Sequence, residues 1–307
     1  MLPIRLLSAP SSGPANVTKA PVANHMDHLL CEIVHSTLYV PMMGSGSDPH
    51  TRTAVTNPWL LKMEQYTRFS KDERETLDRL VAERSVQHAQ GEDIVREGDH
   101  SPDCHVVLSG FGCRYKILPN GERQIMAFLV PGDLCDAEIF ILKEMDHRVS
   151  ALTPSTTALI SGEIMKQLLR KEGCLPEALW WGTLTDLGVL RERIIDHGRR
   201  DAHERIAHLI YEMLVRYRIA GLTKDDSFDF PITQTELADA SGMTPMHVNR
   251  VLKRLREEQL VHFHGKVISI LDPKRLKEVA GFNANYLHLD RVHDEQDGVG
   301  KRAGDLV

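Results

Sequence analysis

Arg250, Lys253, Arg254 and Arg256 stand within seven residues with no acid among them. Phosphate contacts need a local patch of this kind more than they need a basic chain, and the net charge here is −6. Residues 201–282 hold 12 Lys+Arg against 12 Asp+Glu, whereas residues 58–200 hold 19 against 23, so the basicity is local. A solvated helix face is the other common fate of such a run. The surrounding elements have to decide.

Those elements read as two short helices folded over a glycine. Thr233 with Glu236 three residues on makes a capping box. Ala238 is small where two helices would touch, and Gly242 stands where the turn needs a left-handed residue. Thr244 caps a second helix with Pro245 at its first position. Val248, Val251, Leu252 and Leu255 repeat as a buried face. The side opposite carries Met246, Asn249, Arg250 and Lys253. Arginine reads guanine bidentately, asparagine an adenine edge, and methionine can touch a thymine methyl. Lys253, Arg254 and Arg256, further along, would meet phosphates. Thr233, Gln234 and Thr244 offer short polar groups near helix starts, where backbone amides favour a phosphate, and His247 shares the second helix's first turn. Beyond it, "LVHFHGKVISI" reads as a hairpin wing around His264 and Gly265. A wing makes a DNA-binding motif more specific than a lone basic helix, the alternative being a structural pair of helices.

The rest of the chain must position this motif. With 307 residues, 42% hydrophobic and 26% charged, it has the make-up of an ordinary globular protein with room for two domains. No apolar run is long enough to span a membrane and no secretory signal opens the chain, so a cytoplasmic protein is expected. Residues 1–57, rich in Ser, Pro and Gly, read as a disordered arm, and internal methionines raise the possibility of a later start. Short amphipathic helices follow, one capped by Ser70 and Glu73. From Val86 to about Ile160, short alternating segments are punctuated by Gly91, Gly98, Gly110, Gly121 and Gly132, the spacing of a sandwich or roll of antiparallel strands. "LPNGER" is a hairpin turn in which Asn120 and Gly121 can take positive φ. We take 58–175 as this β domain. Over 176–200, Trp180, Leu184, Leu187, Leu190 or Arg191, and Ile194 form a stripe that a second copy could bury. Packing on the chain's own roll is the other possibility. Residues 201–283 make the DNA-binding domain, beginning with a helix whose stripe is Ile206, Leu209, Ile210, Met213, Leu214 and Tyr217. "TKDDSFDFP" reads as a polar loop and 284–307 as a loose tail.

From about residue 60 to 282 the chain resembles the Crp/Fnr superfamily of bacterial transcription regulators, most closely members with "TPxHVNRxLxxLR" in the recognition helix, here "TPMHVNRVLKRLR". The resemblance implies an α+β fold: an antiparallel β-roll sensor, a long dimerisation helix, a hinge near Asp201 and a C-terminal winged helix-turn-helix. It further implies a homodimer on a roughly palindromic operator, with RNA polymerase as a partner if the protein activates. Arg250 matches the family's guanine-reading arginine. Met246 replaces a glutamate of the founding members, so their operator sequences do not transfer.

In cyclic-nucleotide-binding members a Gly-Glu step and an Arg-Ser pair grip the ligand. In "PGDLCDAEIFILKEMDHRVSAL" Arg148 fits, but Asp136-Ala137 replaces Gly-Glu and Val149 replaces the serine. An aspartate repels a phosphate, so Asp136, Ala137 and Arg148 mark the effector-pocket position while cyclic AMP ranks below an unknown ligand or none. Cys31, Cys104, Cys113, Cys135 and Cys174 are isolated, which weighs against an iron–sulfur cluster and favours reduced thiols, buried in the roll for the middle three. Haem ligation stays open, since one His or Cys suffices among 16 histidines. A cupin-like, metal- or ligand-sensing roll without DNA binding is the alternative class. His100 and His105 beside Asp99 and Asp103 lack the H-x-H step that puts two ligands on one strand face; His262 and His264 have it, but in the wing. No metal site, catalytic triad or phosphate loop is expected, and the chain does not read as an enzyme.

Overall fold

Local capping sets the first elements. In a computed structural model that describes residues 57–289 apart from 137, 138 and 143, Asn57 accepts the N–H groups of Trp59 and Leu60 at 3.0 and 3.1 Å. It thereby starts α1 (Pro58–Met63). The Ser70–Glu73 capping box starts α2 (Lys71–Glu83) as expected. The arm before residue 57, Cys31, Ala137 and the tail from residue 290 lie outside the described residues.

Seven strands follow: β1 (Ser85–His88), β2 (Asp93–Val95), β3 (Asp103–Ser109), β4 (Gly112–Ile117), β5 (Arg123–Leu129), β6 (Arg148–Ala151) and β7 (Ser155–Ser161). They form two antiparallel sheets, ordered β1-β7-β3 and β2-β6-β4-β5. The five glycines that punctuate the segment all have positive φ. At Gly110 a Cβ would also come within 2.7 Å of the Pro154 carbonyl oxygen, so nothing larger fits. In the β4–β5 turn Gly121 alone takes positive φ; Asn120 does not, and its side chain instead accepts the Glu122 N–H at 3.0 Å.

A short helix α3 (Ile139–Leu142) interrupts the roll between β5 and β6, and two helices lead away from it, α4 (Gly162–Arg170) and the 24-residue α5 (Leu175–Gly198). The Asp201–Glu204 capping box then opens α6 (Ala202–Ile219). Its expected stripe is buried, but so are His208, Tyr211, Glu212 and Val215. The helix is enclosed rather than half-buried because the roll, the C-terminal helix and the segment after it all pack around it.

The C-terminal region contains β8 (Ser227–Asp229), α7 (Gln234–Ser241), α8 (Pro245–Glu257), β9 (Val261–His264), β10 (Val267–Ile270) and α9 (Pro273–Ala280), its strands ordered β8-β10-β9. β8 corrects the expected polar loop at 223–231. Phe228 and Phe230 alternate there and both are buried, which outweighs the acidic residues around them. α9 was not anticipated, although Asp272 caps it, Pro273 starts it and Gly281 ends it. Residues 284–289 are not a loose tail: Ala284–Leu287 form a 3-10 turn, Leu287 is buried, and the Tyr286 hydroxyl donates to Glu212 at 3.0 Å. Tyr286 also meets Phe282 edge-on, and burial of that aromatic pair anchors the segment.

One hydrophobic core runs from the roll into the C-terminal region through Phe111, Phe128, Tyr217 and Phe228. A second lies under α1 and α2. No helix among the described residues is long and apolar enough to cross a membrane.

Candidate nucleic-acid interface

α7 and α8 are held by the devices their sequences specify. The Thr233 hydroxyl accepts the Glu236 N–H while the Glu236 carboxylate accepts the Thr233 N–H at 2.7 Å. Gly242, at φ 63° and ψ 36°, ends α7, and Thr244 accepts the His247 N–H at 3.3 Å to begin α8 behind Pro245. Val248, Val251, Leu252 and Leu255 are buried against the rest of the region. Three outside contacts fix the pair. Arg205 on α6 donates to the Ser241 carbonyl at 2.5 Å, His197 near the end of α5 lies against Gly242, and Arg123 on β5 donates to Asp239 on α7 at 2.7 Å.

The outward face of α8 carries Met246, 73% exposed, with Asn249, Arg250, Lys253 and Arg254 also exposed. Thr233, Gln234 and Thr244 are exposed beside it, and His247 is half-buried. Of the nine expected contact residues, eight are therefore exposed and His247 half-buried. Their electrostatic states differ. Lys253 lies 3.6 Å from Glu257, and Arg254 donates to Glu258 at 2.8 Å. Burial opposes the charged form of Glu258, yet Arg254 and His203, the latter 3.1 Å away, hold its carboxyl below the ordinary range. Asn249 donates to the Gln234 side-chain carbonyl at 3.1 Å. Among the described residues nothing pairs with Arg250, which borders an open groove between α8 and the start of α6, lined also by His203, His247 and Arg254.

The stripe of α5 is on the surface. Trp180, Leu187, Leu190 and Ile194 are 65%, 44%, 39% and 72% exposed and Leu184 is half-buried, so the chain's own roll does not cover them. The opposite side of α5 buries charge that hydropathy could not announce: Arg193 donates to Asp196 at 2.6 Å and to Glu212 at 2.8 Å.

Asp136 and Arg148 are held by different partners. Asp136 is fully buried and accepts both the His105 backbone N–H and its ring Nδ1–H at 2.7 Å. Arg148 donates to Asp93 at 3.2 Å, and Tyr115 donates to the same carboxylate. Cys104, Cys113 and Cys135 are buried thiols; burial pushes Cys113 up to about 11 and Cys135 well above its ordinary value, so both stay protonated. A charged joint between roll and C-terminal region went unforeseen. Asp133 accepts from Lys62 at 2.8 Å and from Arg216 at 2.5 Å, and Arg114 donates to Asp186 at 2.9 Å, around a narrow cleft walled by Phe128, Val130 and Val189. Burial would raise the Asp133 carboxyl, but the two cations hold it down to about 2. Burial likewise opposes the Lys62 ammonium, and Asp133 with Asp186 more than reverses that.

Known proteins share this architecture. Residues 85–172 match the cyclic nucleotide-binding domain and residues 204–279 the Crp-like helix-turn-helix domain. The fumarate and nitrate reduction regulatory protein of Vibrio cholerae is 26% identical over 213 residues, 69% of this chain and 84% of that one. The transcriptional activator protein FnrL of Cereibacter sphaeroides is 27% identical over 220 residues, 70% and 86% of the two chains. FixK2 from Bradyrhizobium japonicum has the same fold, with a TM-score of 0.59 at 24% identity over 66% of this chain and 98% of that one. A roll, a long connecting helix and a Crp-like helix-turn-helix, in this order and in one chain, place the protein in the Crp/Fnr family of DNA-binding transcription regulators.

Proposed function

We propose that this regulator acts in the cytoplasm, not as an enzyme but as a homodimer on a roughly palindromic operator. Arg250, Asn249 and Met246 read base edges while Lys253, Arg254, Thr233, Thr244 and His247 meet the backbone. The guanidinium of Arg250, on an exposed helix face and unpaired among the described residues, carries this assignment, because its forked donors are matched to guanine's two major-groove acceptors. Dimerisation is supported by the uncovered stripe of α5. A second copy placing its own Leu187 and Ile194 there would bury apolar area at about 25 cal/mol per Å². A two-fold protein then asks for a two-fold site. The roll receives the controlling signal, and the commitment of Arg148 to Asp93 and of Asp136 to His105 favours one other than a cyclic nucleotide. RNA polymerase is the further partner if the regulator activates.

Genome-wide recovery of DNA fragments by the purified protein, with Arg250→Ala in parallel at moderate salt, tests the assignment. A palindromic motif enriched by the wild type and lost in the variant is the expected result. Equal enrichment by both would remove Arg250 from base reading, and enrichment by neither would leave a sensor without DNA binding. Light scattering of Leu187→Asp combined with Ile194→Asp should show monomers, and a persistent dimer would place the interface elsewhere.

A further inference from the structure

We propose that Gln234 is a positioning residue for base reading: it orients Asn249 so that the operator carries an adenine beside the base read by Arg250. The inference rests on α8 entering the major groove. Gln234 is the first residue of α7 and Asn249 stands on the outer face of α8, fifteen residues on, yet the Asn249 Nδ2 donates to the Gln234 Oε1 at 3.1 Å.

A terminal amide rotates through two broad, nearly equivalent orientations, and in one it presents oxygen where in the other it presents nitrogen. An exposed asparagine without a partner would therefore show DNA either group. In the pairing present, Gln234 presents its Oε1 and takes one of the two Nδ2 hydrogens, which holds Asn249 in one orientation. What remains for the groove is the Oδ1 acceptor and the second Nδ2–H donor. Adenine presents the complement, its N6–H donor beside its N7 acceptor, whereas guanine presents two acceptors and suits the neighbouring Arg250. The capping of α7 is independent of this bond, since Thr233 and Glu236 supply it. Removing the Gln234 amide should then leave the helix intact and disturb the reading alone.

The test is selection of bound sites from a randomised duplex library by the full chain, with sequencing of the bound fraction, for wild type, Gln234→Ala, Gln234→Glu, Asn249→Ala and Arg250→Ala. Asn249→Ala should relax the preference at one position per half-site. Gln234→Ala should relax that same position about 3- to 10-fold and leave the position governed by Arg250 unchanged. Gln234→Glu keeps the acceptor, so its preference should survive while its charge lowers affinity for every sequence. A Gln234→Ala protein that keeps the wild-type preference and only binds all sequences more weakly would overturn the assignment and make Gln234 a backbone contact. Relaxation at a position other than Asn249's would also overturn it. If the wild type itself selects no sequence, the DNA reading falls and this assignment with it; if the wild type selects and Gln234→Ala matches it, only the positioning role falls.

Discussion

The joint between the roll and the C-terminal region uses the same residue types as the outer face of α8, to the opposite end. At the joint every cation has a carboxylate: Lys62 and Arg216 share Asp133, Arg114 faces Asp186, and Arg123 faces Asp239. On α8, Arg250 faces none among the described residues, and there Lys253 and Arg254 meet only acids four positions further along the chain. Burial accounts for the contrast. The Asp133 side chain is 3% exposed, where an unmatched charge is costly, whereas Lys253, Glu257 and Arg254 are exposed and Glu258 is half-buried, so water screens the α8 pairs and each contributes only about 0.2–0.5 kcal/mol. Phosphates can displace such weak pairs with little loss. A paired cation in the joint is structural; an unpaired or weakly paired one on α8 is available to DNA.

Breaking the joint should therefore have the largest effect. Asp133→Asn keeps the shape but leaves Lys62 and Arg216 facing each other without the shared carboxylate. We expect a loss of about 3–5 kcal/mol in urea unfolding at neutral pH, toward the lower end because Arg216 retains Glu212 at 3.5 Å. The pH dependence gives an independent check. Folding lowers the Asp133 carboxyl from 3.8 to about 2, so its contribution is complete above the unfolded value and disappears as pH falls from about 4 toward 2. Wild type should lose more stability than the variant across that window. Parallel curves would show that Asp133 does not carry the joint.

On α8 the expected effects are smaller and of a different kind. Arg250→Ala should cost about 1–3 kcal/mol per half-site on the specific operator, with preference lost at one base pair. Lys253→Ala should weaken binding on all sequences alike and lower the slope of log affinity against log salt by about 1 per contact. Titrations over a salt series separate the two. A sequence-specific penalty for Lys253→Ala, or a uniform one for Arg250→Ala, would reverse their roles. Neither substitution should move the unfolding midpoint, since neither side chain is buried.

The same contrast explains which features the sequence disclosed. The caps at Ser70, Thr233 and Thr244 and the turn at Gly242 are local, their residues lying within a few positions of each other. The α8 surface follows from helical period once its buried face is found, so Met246, Asn249, Arg250 and Lys253 fall on its exposed side as the period requires. β8 was hidden because Phe228 and Phe230 are flanked by acids and the strand is only three residues long. The joint is illegible for another reason. Arg123 and Asp239 are 116 residues apart, and Asp133 and Arg216 are 83 apart. Such pairs depend on how the finished elements pack, as does the enclosure of α6 that buries Glu212 beside Arg193.

The Arg123–Asp239 pair sits between the two regimes and sharpens the boundary. Its side chains are 31% and 22% exposed, and burial partly opposes the charge on Arg123 while Asp239 raises its pKa. Water still reaches both groups, so the attraction is screened and a double-mutant cycle of Arg123→Gln and Asp239→Asn should return a coupling of only about 0.2–1 kcal/mol. The pair ties β5 to α7, however, and α7 sets where α8 sits. Its loss should therefore appear less in the unfolding midpoint than in operator affinity, lowered without any change in base preference. A coupling well above 1 kcal/mol would mean that the buried regime of Asp133 extends to the edge of the joint. An altered base preference would mean that the roll adjusts what α8 reads as well as where α8 stands.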